Sequence, residues 1–362
     1  MRNLLLLVAG ACLLFAGSAF AFHDAGVAHC NGCHTMHNSE NGVLVDPDSP
    51  TGNQWLLVDE TPSDVCLSCH AFGLGAVFGA DPLAPPPEKG SGNFVFLLED
   101  NLYDGHGGGD TLIDGSWAHA VDGDAAGHNI VAPSRGVAAD ATNLTGTGPG
   151  GTFPSGDLGC SSCHDPHGNT NFRLLYGGTV GSPTSVQDGL YDFTNPAPVA
   201  TGISIFGGSE SNGNHTAYNS GMSGWCGNCH GDFHNSGNLV HPSGVGIGGD
   251  IATAYNAYNG TEDMTGGAIA TSYLAAVPIE GSGILTSSTA GPSSSSNVMC
   301  LTCHRAHASS APNAGRWDFS VTLLEEDGLE SGSYAMADPY NSPNQRSLCN
   351  KCHGKDVGDA IH

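Results

Sequence analysis

The chain has 362 residues, of which 54 are Gly and 20 Pro; only 12% are charged, and the formal net charge is -26. So acidic a surface disfavours nucleic acid and anionic membrane as partners and keeps the chain dispersed in water. Polypeptide this rich in glycine loses more conformational entropy on folding than most, which argues against a self-sufficient apolar core of ordinary size.

Residues 1–21 read as a secretory signal peptide. Arg2 supplies the charge, Leu4–Phe15 the apolar run, and Ala19-Phe20-Ala21 an A-x-A cleavage site that leaves Phe22 first. The run is too short to span a membrane, and no later stretch is long and apolar enough to do so. Cys12, preceded by Ala9-Gly10-Ala11, could serve as a lipobox cysteine, but Ala9 fits that role poorly and the mature terminus would be apolar. The reading is of an exported protein whose residues 22–362 form one domain.

After the leader, the pattern C-x-x-C-H occurs six times: Cys30, Cys33 and His34; Cys66, Cys69 and His70; Cys160, Cys163 and His164; Cys226, Cys229 and His230; Cys300, Cys303 and His304; Cys349, Cys352 and His353. This is the covalent attachment signature of c-type haem. The two thiols add across the porphyrin vinyl groups, and the His directly after them becomes the fifth iron ligand. The chain has 13 Cys, and the motifs use all but Cys12. Zinc knuckles also use paired C-x-x-C units but do not require a His after each second Cys. Disulfides are the other bland reading, since an exported protein meets an oxidising compartment. Six covalently bound haem c groups follow, and these macrocycles supply the apolar core that the polypeptide lacks; without them the chain is expected to be largely unfolded.

Between the motifs the sequence is loop-like. Residues 71–159 hold an insertion with one strand-like run, Phe94 to Leu98, and a Gly/Asp-rich stretch at 106–115 that reads as a plain turn or a single calcium-type repeat. Residues 235–299 read as open loop ending in the Ser-rich run 291–297. The expected fold is a multihaem c-type cytochrome: mostly coil with short α-helices starting at the motifs and few β-strands, organised around stacked haems.

The far side of each iron decides what it can do. An iron with one protein ligand is open to chemistry; one closed by two strong ligands can only exchange electrons. Eighteen His less six in motifs leaves twelve for six irons. His37, His167 and His307 each follow a motif His by three residues, and His234 follows its own by four. On a helical turn such residues share one face, so each would serve a different haem packed alongside rather than its own. His23, His128 and His241 complete the expected distal set, with His234 in reserve. His29, His106, His119, His215 and His362 lie in Gly-rich, acidic or terminal contexts and read as solvated. Bis-His ligation implies low reduction potentials.

The runs at 22–38, 127–132, 160–168, 225–230, 300–309 and 348–353 together resemble the OmcS-type hexahaem outer-surface c-type cytochromes of metal-reducing bacteria. The resemblance covers all six motifs and their flanks, but not the loops at 71–127 and 181–222. It implies a head-to-tail homopolymer outside the cell in which His37 leaves its own subunit and ligates the neighbour's fifth haem, at Cys300, Cys303 and His304. A heterologous contact that does not close gives an open filament. The sequence thus reads as an electron carrier and not an enzyme. Its source is an outer-membrane cytochrome conduit, and its sink an extracellular metal oxide, electrode or partner cell. The rivals are a monomeric periplasmic shuttle and, further off, a multihaem reductase, which would need an open iron.

Overall fold

Short hairpins, 3-10 turns and helices of four to ten residues make up the described parts of this chain. The structure, a computed structural model, describes residues 23, 30–71, 77–80, 86, 90–98, 102–103, 120–121, 125–139, 146–178, 185–186, 191–203, 210–234, 241–260, 266–317, 319 and 347–353. The leader, the Gly/Asp stretch at 106–115, His29, His106, His119 and His362 lie outside them.

Among the described residues eight strands pair as four antiparallel two-stranded sheets: β1 (Ser39–Glu40) with β2 (Val43–Leu44), β3 (Leu102–Tyr103) with β4 (Ala120–Val121), β5 (Ser185–Val186) with β6 (Tyr191–Asp192), and β7 (Val199–Thr201) with β8 (Ala217–Ser220). The helices are α1 (Pro62–His70), α2 (Cys160–Cys163), α3 (Met222–Cys226), α4 (Gly248–Ala257) and α5 (Cys300–Cys303), with isolated 3-10 turns between them. α1 starts where its sequence directs. Thr61 caps it by accepting from the Asp64 N–H at 3.1 Å, and Pro62, which has no N–H to satisfy, takes the first turn. The coil-dominated architecture is the one expected, and no described helix is long and apolar enough to cross a membrane.

Two local expectations fail. The run Phe94–Leu98 is a 3-10 helix, not a strand. Asn93 sets it by accepting the Val95 N–H on its side chain at 3.0 Å, and Phe94, Val95 and Phe96 are buried in succession rather than alternately. A residue sequence buried on every side carries no period-two signal. Within the supposed open loop 235–299 lies α4, the longest described helix. It is anchored by Tyr255, whose hydroxyl donates to the Val277 carbonyl at 2.9 Å and accepts the Leu274 N–H at 3.0 Å.

Among the described residues, buried apolar side chains gather in four clusters, each leaning on motif cysteines. Leu67, Phe78, Phe94, Phe96 and Ile130 pack with Cys160. Tyr255, Ile279, Trp317 and Leu348 pack with Cys303 and Cys352. Phe153, Tyr176 and Phe193 pack with Cys229, and Tyr218, Met222, Met299 and Leu301 with Cys226. The hydrophobic framework is thus divided along the line of motifs.

Candidate functional site

Neighbouring motifs interlock in a repeated way. Ser63 in α1 accepts the N–H of Cys160 on its hydroxyl at 3.3 Å, and the sulfurs of Cys66 and Cys160 hydrogen-bond. Ser223 in α3 treats the N–H of Cys300 identically at 3.3 Å, and Cys226 meets Cys300 through sulfur. In each case a Ser three residues before one motif satisfies an orphan donor at the start of the next helix. Motif two is thereby coupled to motif three, and motif four to motif five. These free thiols stand where thioether sulfurs would be after haem attachment. Burial pushes Cys163 and Cys303 up to about 12, and Cys229 and Cys352 up to about 11. Zinc demands thiolates converging on one point, and among the described residues no group of three or more His, Cys, Asp or Glu side chains does so.

The histidines are arranged differently: they face one another in twos. His70 faces His23 with ring centroids 6.1 Å apart, His34 faces His167 at 6.4 Å, His230 faces His128 at 5.9 Å, and His353 faces His241 at 6.0 Å. Each pair joins a motif His to a non-motif His. A metal held between two imidazoles needs about 2 Å of bond on each side, and each ring's half-width adds about 1 Å, so a shared iron calls for about 6 Å between centroids. The interplanar angles run from 14° to 88°, which a metal tolerates because rotation about the N–metal–N axis leaves both bonds unchanged. These residues fit haem iron.

Backbone carbonyls fix the tautomer. Nδ1 lies 2.9 Å from Trp55 O in His34, 2.7 Å from Arg173 O in His164, 2.7 Å from Pro149 O in His230, 2.9 Å from Asn313 O in His304, and 2.7 Å from Ala306 O in His128. A carbonyl oxygen can only accept, so Nδ1 carries the proton and Nε2 presents its lone pair, as a metal ligand must. Loss of solvent around them also pushes His70, His128, His164 and His307 below the ordinary imidazole range, His307 to about 3. They are neutral at pH 7, the ligating form.

The odd-numbered motifs share a bracket that nothing in the sequence reading foresaw. After His34, His164 and His304 the chain returns through a tight turn with two successive residues in the left-handed region: Trp55 and Leu56, Arg173 and Leu174, Asn313 and Ala314, with φ from 52 to 59°. Each turn bridges back antiparallel to its motif His, at Leu57, Leu175 and Gly315. The first left-handed residue supplies the carbonyl for Nδ1 and the second accepts the N–H after the His: Thr35 at 2.6 Å, Asp165 at 2.8 Å and Arg305 at 2.6 Å. For non-glycine residues this conformation costs roughly 1–2 kcal/mol each, and such strain gathers where geometry matters. The available signal was slight: Asn53-Gln-Trp-Leu-Leu57 and Asn171-Phe-Arg-Leu-Leu175 share N-x-x-L-L.

The brackets also correct the spacing argument. α2 and α5 stop at the second Cys, and His164 and His304 are in extended backbone, so His167 and His307 do not share a helical face with them. His167 nonetheless faces motif one. Asp165, buried beside it, accepts the His167 N–H at 2.9 Å. His307 stacks on Phe94 at 4.5 Å, with His164 and His128 the imidazoles near enough to influence its charge. His304 is edge-on to Phe319 at 5.5 Å, and among the described residues no second imidazole faces it. His37 is exposed, as are Met36, Val43, Leu44, Trp55 and Leu56 in the same stretch of chain. His234 closes the 3-10 turn Gly231–His234. His215, expected to be solvated, is fully buried; it stacks on Tyr273 at 3.9 Å, and its two ring nitrogens lie against the carbonyls of Thr216 and Ser288. It is a packing residue, hidden in the sequence by its glycine-rich neighbours.

Gly127 holds the approach of His128 to its partner segment. Its backbone lies against Ala308, and the His128 N–H donates to the His307 carbonyl at 3.0 Å. A Cβ here would overlap that carbonyl and the Ala308 backbone. Gly127→Ala is therefore expected to destabilise by about 1–3 kcal/mol, as overpacking does, and to weaken the ligation of both His128 and His307. Thermal melting monitored through the haem absorbance, with high-spin bands read alongside, would show it; an unchanged melt would contradict the close approach.

No protein-family model matches this sequence. Among curated proteins it is similar to the C-type cytochrome OmcS of Geobacter sulfurreducens, 34% identical over 443 residues that cover 98% of this chain and 99% of the relative. Among solved structures it is similar to the outer membrane cytochrome S filament from Geobacter sulfurreducens, with a TM-score of 0.74 and 31% identity over 92% of this chain and 100% of that one. A cryo-EM structure of OmcS nanowires from the same organism gives a TM-score of 0.72 at 30% identity, with the same coverage.

Proposed function

Because this chain belongs to the family of the c-type cytochrome OmcS, we propose that it is the repeating subunit of an extracellular filament that carries electrons along a line of haem c groups. The cofactor supplies the one-electron chemistry; the polypeptide positions it, closes it to other ligands and sets its potential.

In this reading each motif His is the fifth ligand, and the sixth comes from the imidazole opposite it: His167 for His34, His23 for His70, His128 for His230 and His241 for His353. His307 serves His164. His304 has no imidazole facing it among the described residues, and His37, which is exposed, serves the fifth haem of the next subunit. One observation carries this proposal: four motif imidazoles, those of His34, His70, His230 and His353, each face a non-motif imidazole at the spacing a shared iron needs. Irons closed on both faces exchange electrons and do not bind substrate, so the chain is not an enzyme. Residues 22–362 act as one domain. An outer-membrane cytochrome conduit is the proposed donor, and a metal oxide, an electrode or a partner cell the acceptor.

Negative-stain microscopy of the secreted protein, together with a carbon monoxide difference spectrum, tests this. Filaments whose reduced haems bind no carbon monoxide are expected. Single particles with closed irons would leave a shuttle in place of a polymer, and stoichiometric carbon monoxide binding by intact filaments would reveal an open, substrate-accessible iron.

A further inference from the structure

The chain has only nine Lys and Arg against 35 Asp and Glu, and the described cations are unevenly placed. Arg173 is exposed and Arg135 half-buried. Next to Arg135, Ser134 donates to the carboxylates of Asp59 and Asp64 at 2.6 and 3.1 Å. Arg305, Arg316 and Lys351 are buried, at 4%, 4% and 0% exposure.

All three buried cations lie at motifs five and six. Arg305 directly follows His304. Arg316 donates through its backbone N–H to Cys303 at 2.7 Å and through Nε to the Leu301 carbonyl at 2.6 Å, Leu301 lying between the two cysteines of motif five. Both guanidinium groups share the Gly90 carbonyl, at 2.9 and 3.1 Å. Lys351 lies between the two cysteines of motif six, with Nζ 4.5 Å from the centroid of the Tyr255 ring. The charge of Arg316 is felt at Cys303 and that of Lys351 at Cys352, the attachment sulfurs themselves. At the other end, the buried carboxyl of Asp64 is felt at Cys160.

Among the described residues, fewer acids than cations face this region. Glu210 lies beside Gly90 and, with both guanidiniums, acts on Tyr218, so among the described residues two fixed cations meet one carboxylate there. Buried Glu280 is turned toward motif four: it accepts the Met222 N–H at the start of α3 at 2.8 Å and the Asn297 amide at 3.2 Å.

Reduction adds one electron to a haem and so removes one positive charge from it. A fixed cation nearby disfavours the oxidised form, and does so more strongly away from water, where charges are poorly screened. Arginine keeps its charge at every accessible pH. Building on the six-haem electron-carrier reading, but not on polymerisation, we infer that Arg305, Arg316 and Lys351 hold haems five and six at higher reduction potential than haems one to four. An electron entering the subunit then rests at that end. In a polymer of identical subunits the profile becomes a sawtooth, with no net slope and with its uphill step at each joint.

A spectroelectrochemical titration of the purified haem-loaded protein tests this, with haem content and optical spectrum recorded for each variant. Arg316→Gln and Lys351→Met are each expected to lower the most positive components, cutting their reduced-to-oxidised ratio at fixed potential about tenfold, or about 59 mV for a one-electron couple. Arg316→Lys, which retains charge and loses the fork of hydrogen bonds, is expected to stay near the parent. The inference is overturned if the most positive components hold still in both charge-removing variants while six low-spin haems remain. It is equally overturned if Arg316→Lys moves as far as Arg316→Gln, since contact rather than charge would then matter. Should Arg316→Gln fail to load haem, Lys351→Met against Lys351→Arg decides by the same criterion. A parent protein without six low-spin haems would instead defeat the electron-carrier reading.

Discussion

Replacing His37 by Ala is expected to convert filaments into single soluble subunits while leaving all six haems attached. The side chain is exposed and, in the proposed pairing, would be the sixth ligand of another subunit's iron. In the described stretch of chain around it, Met36, Val43, Leu44, Trp55 and Leu56 are also exposed, and without the metal bond the remaining contacts are expected not to hold the filament. The variant's fifth iron should then have one open face, so its reduced form should bind carbon monoxide at about one haem in six. Added imidazole should close that face again without rebuilding the filament, because the replacement ligand is no longer tethered to a neighbour. His241→Ala serves as control, opening an iron within the subunit and leaving the joint alone. Filaments that persist in His37→Ala would remove the metal bond from the account of assembly.

Denying the chain its haem is expected to have a still larger effect on structure. Produced without the attachment machinery, or with the motif cysteines replaced by Ser, the polypeptide should sediment as an expanded chain and show little protected amide hydrogen. Among the described residues the four apolar clusters are small, each leans on motif cysteines, and only the half-buried Trp225 joins two of them. Hairpins of two to four residues cannot stand alone in water. Six left-handed non-glycine residues at the brackets add to the cost of ordering. A ligand that binds only the folded state supplies the difference. A haem-free chain with a sharp, cooperative melt would show that the polypeptide has a core of its own.

Those features mark where the sequence could be read and where it could not. Attachment chemistry needs sulfurs and an imidazole at fixed spacing, so the six motifs, the cofactor and the coil-rich architecture were visible at once. The left-handed brackets were not, because Trp55, Leu56, Arg173 and Leu174 are residues that ordinarily avoid that conformation; only long-range pairing to the motif His holds them there. α4 was masked by its opening glycines, and Phe94–Leu98 by a burial pattern without period. Histidine spacing could rank candidates but not pair them. His167 reaches motif one through extended backbone after Cys163, a path no helical periodicity encodes. His215 shows the converse, a polar neighbourhood in sequence that folds into the interior.

The brevity of the strands has one more consequence. The longest described strand has four residues, and every described sheet is a lone pair. Amyloid threads hold because long backbone edges stack rung upon rung, and this subunit offers no such edge among its described residues. A thread assembled from it through the proposed His37 ligation would be held at its joints by coordination chemistry. It should come apart under competing ligands and acid while tolerating agents that dissolve peptide ladders.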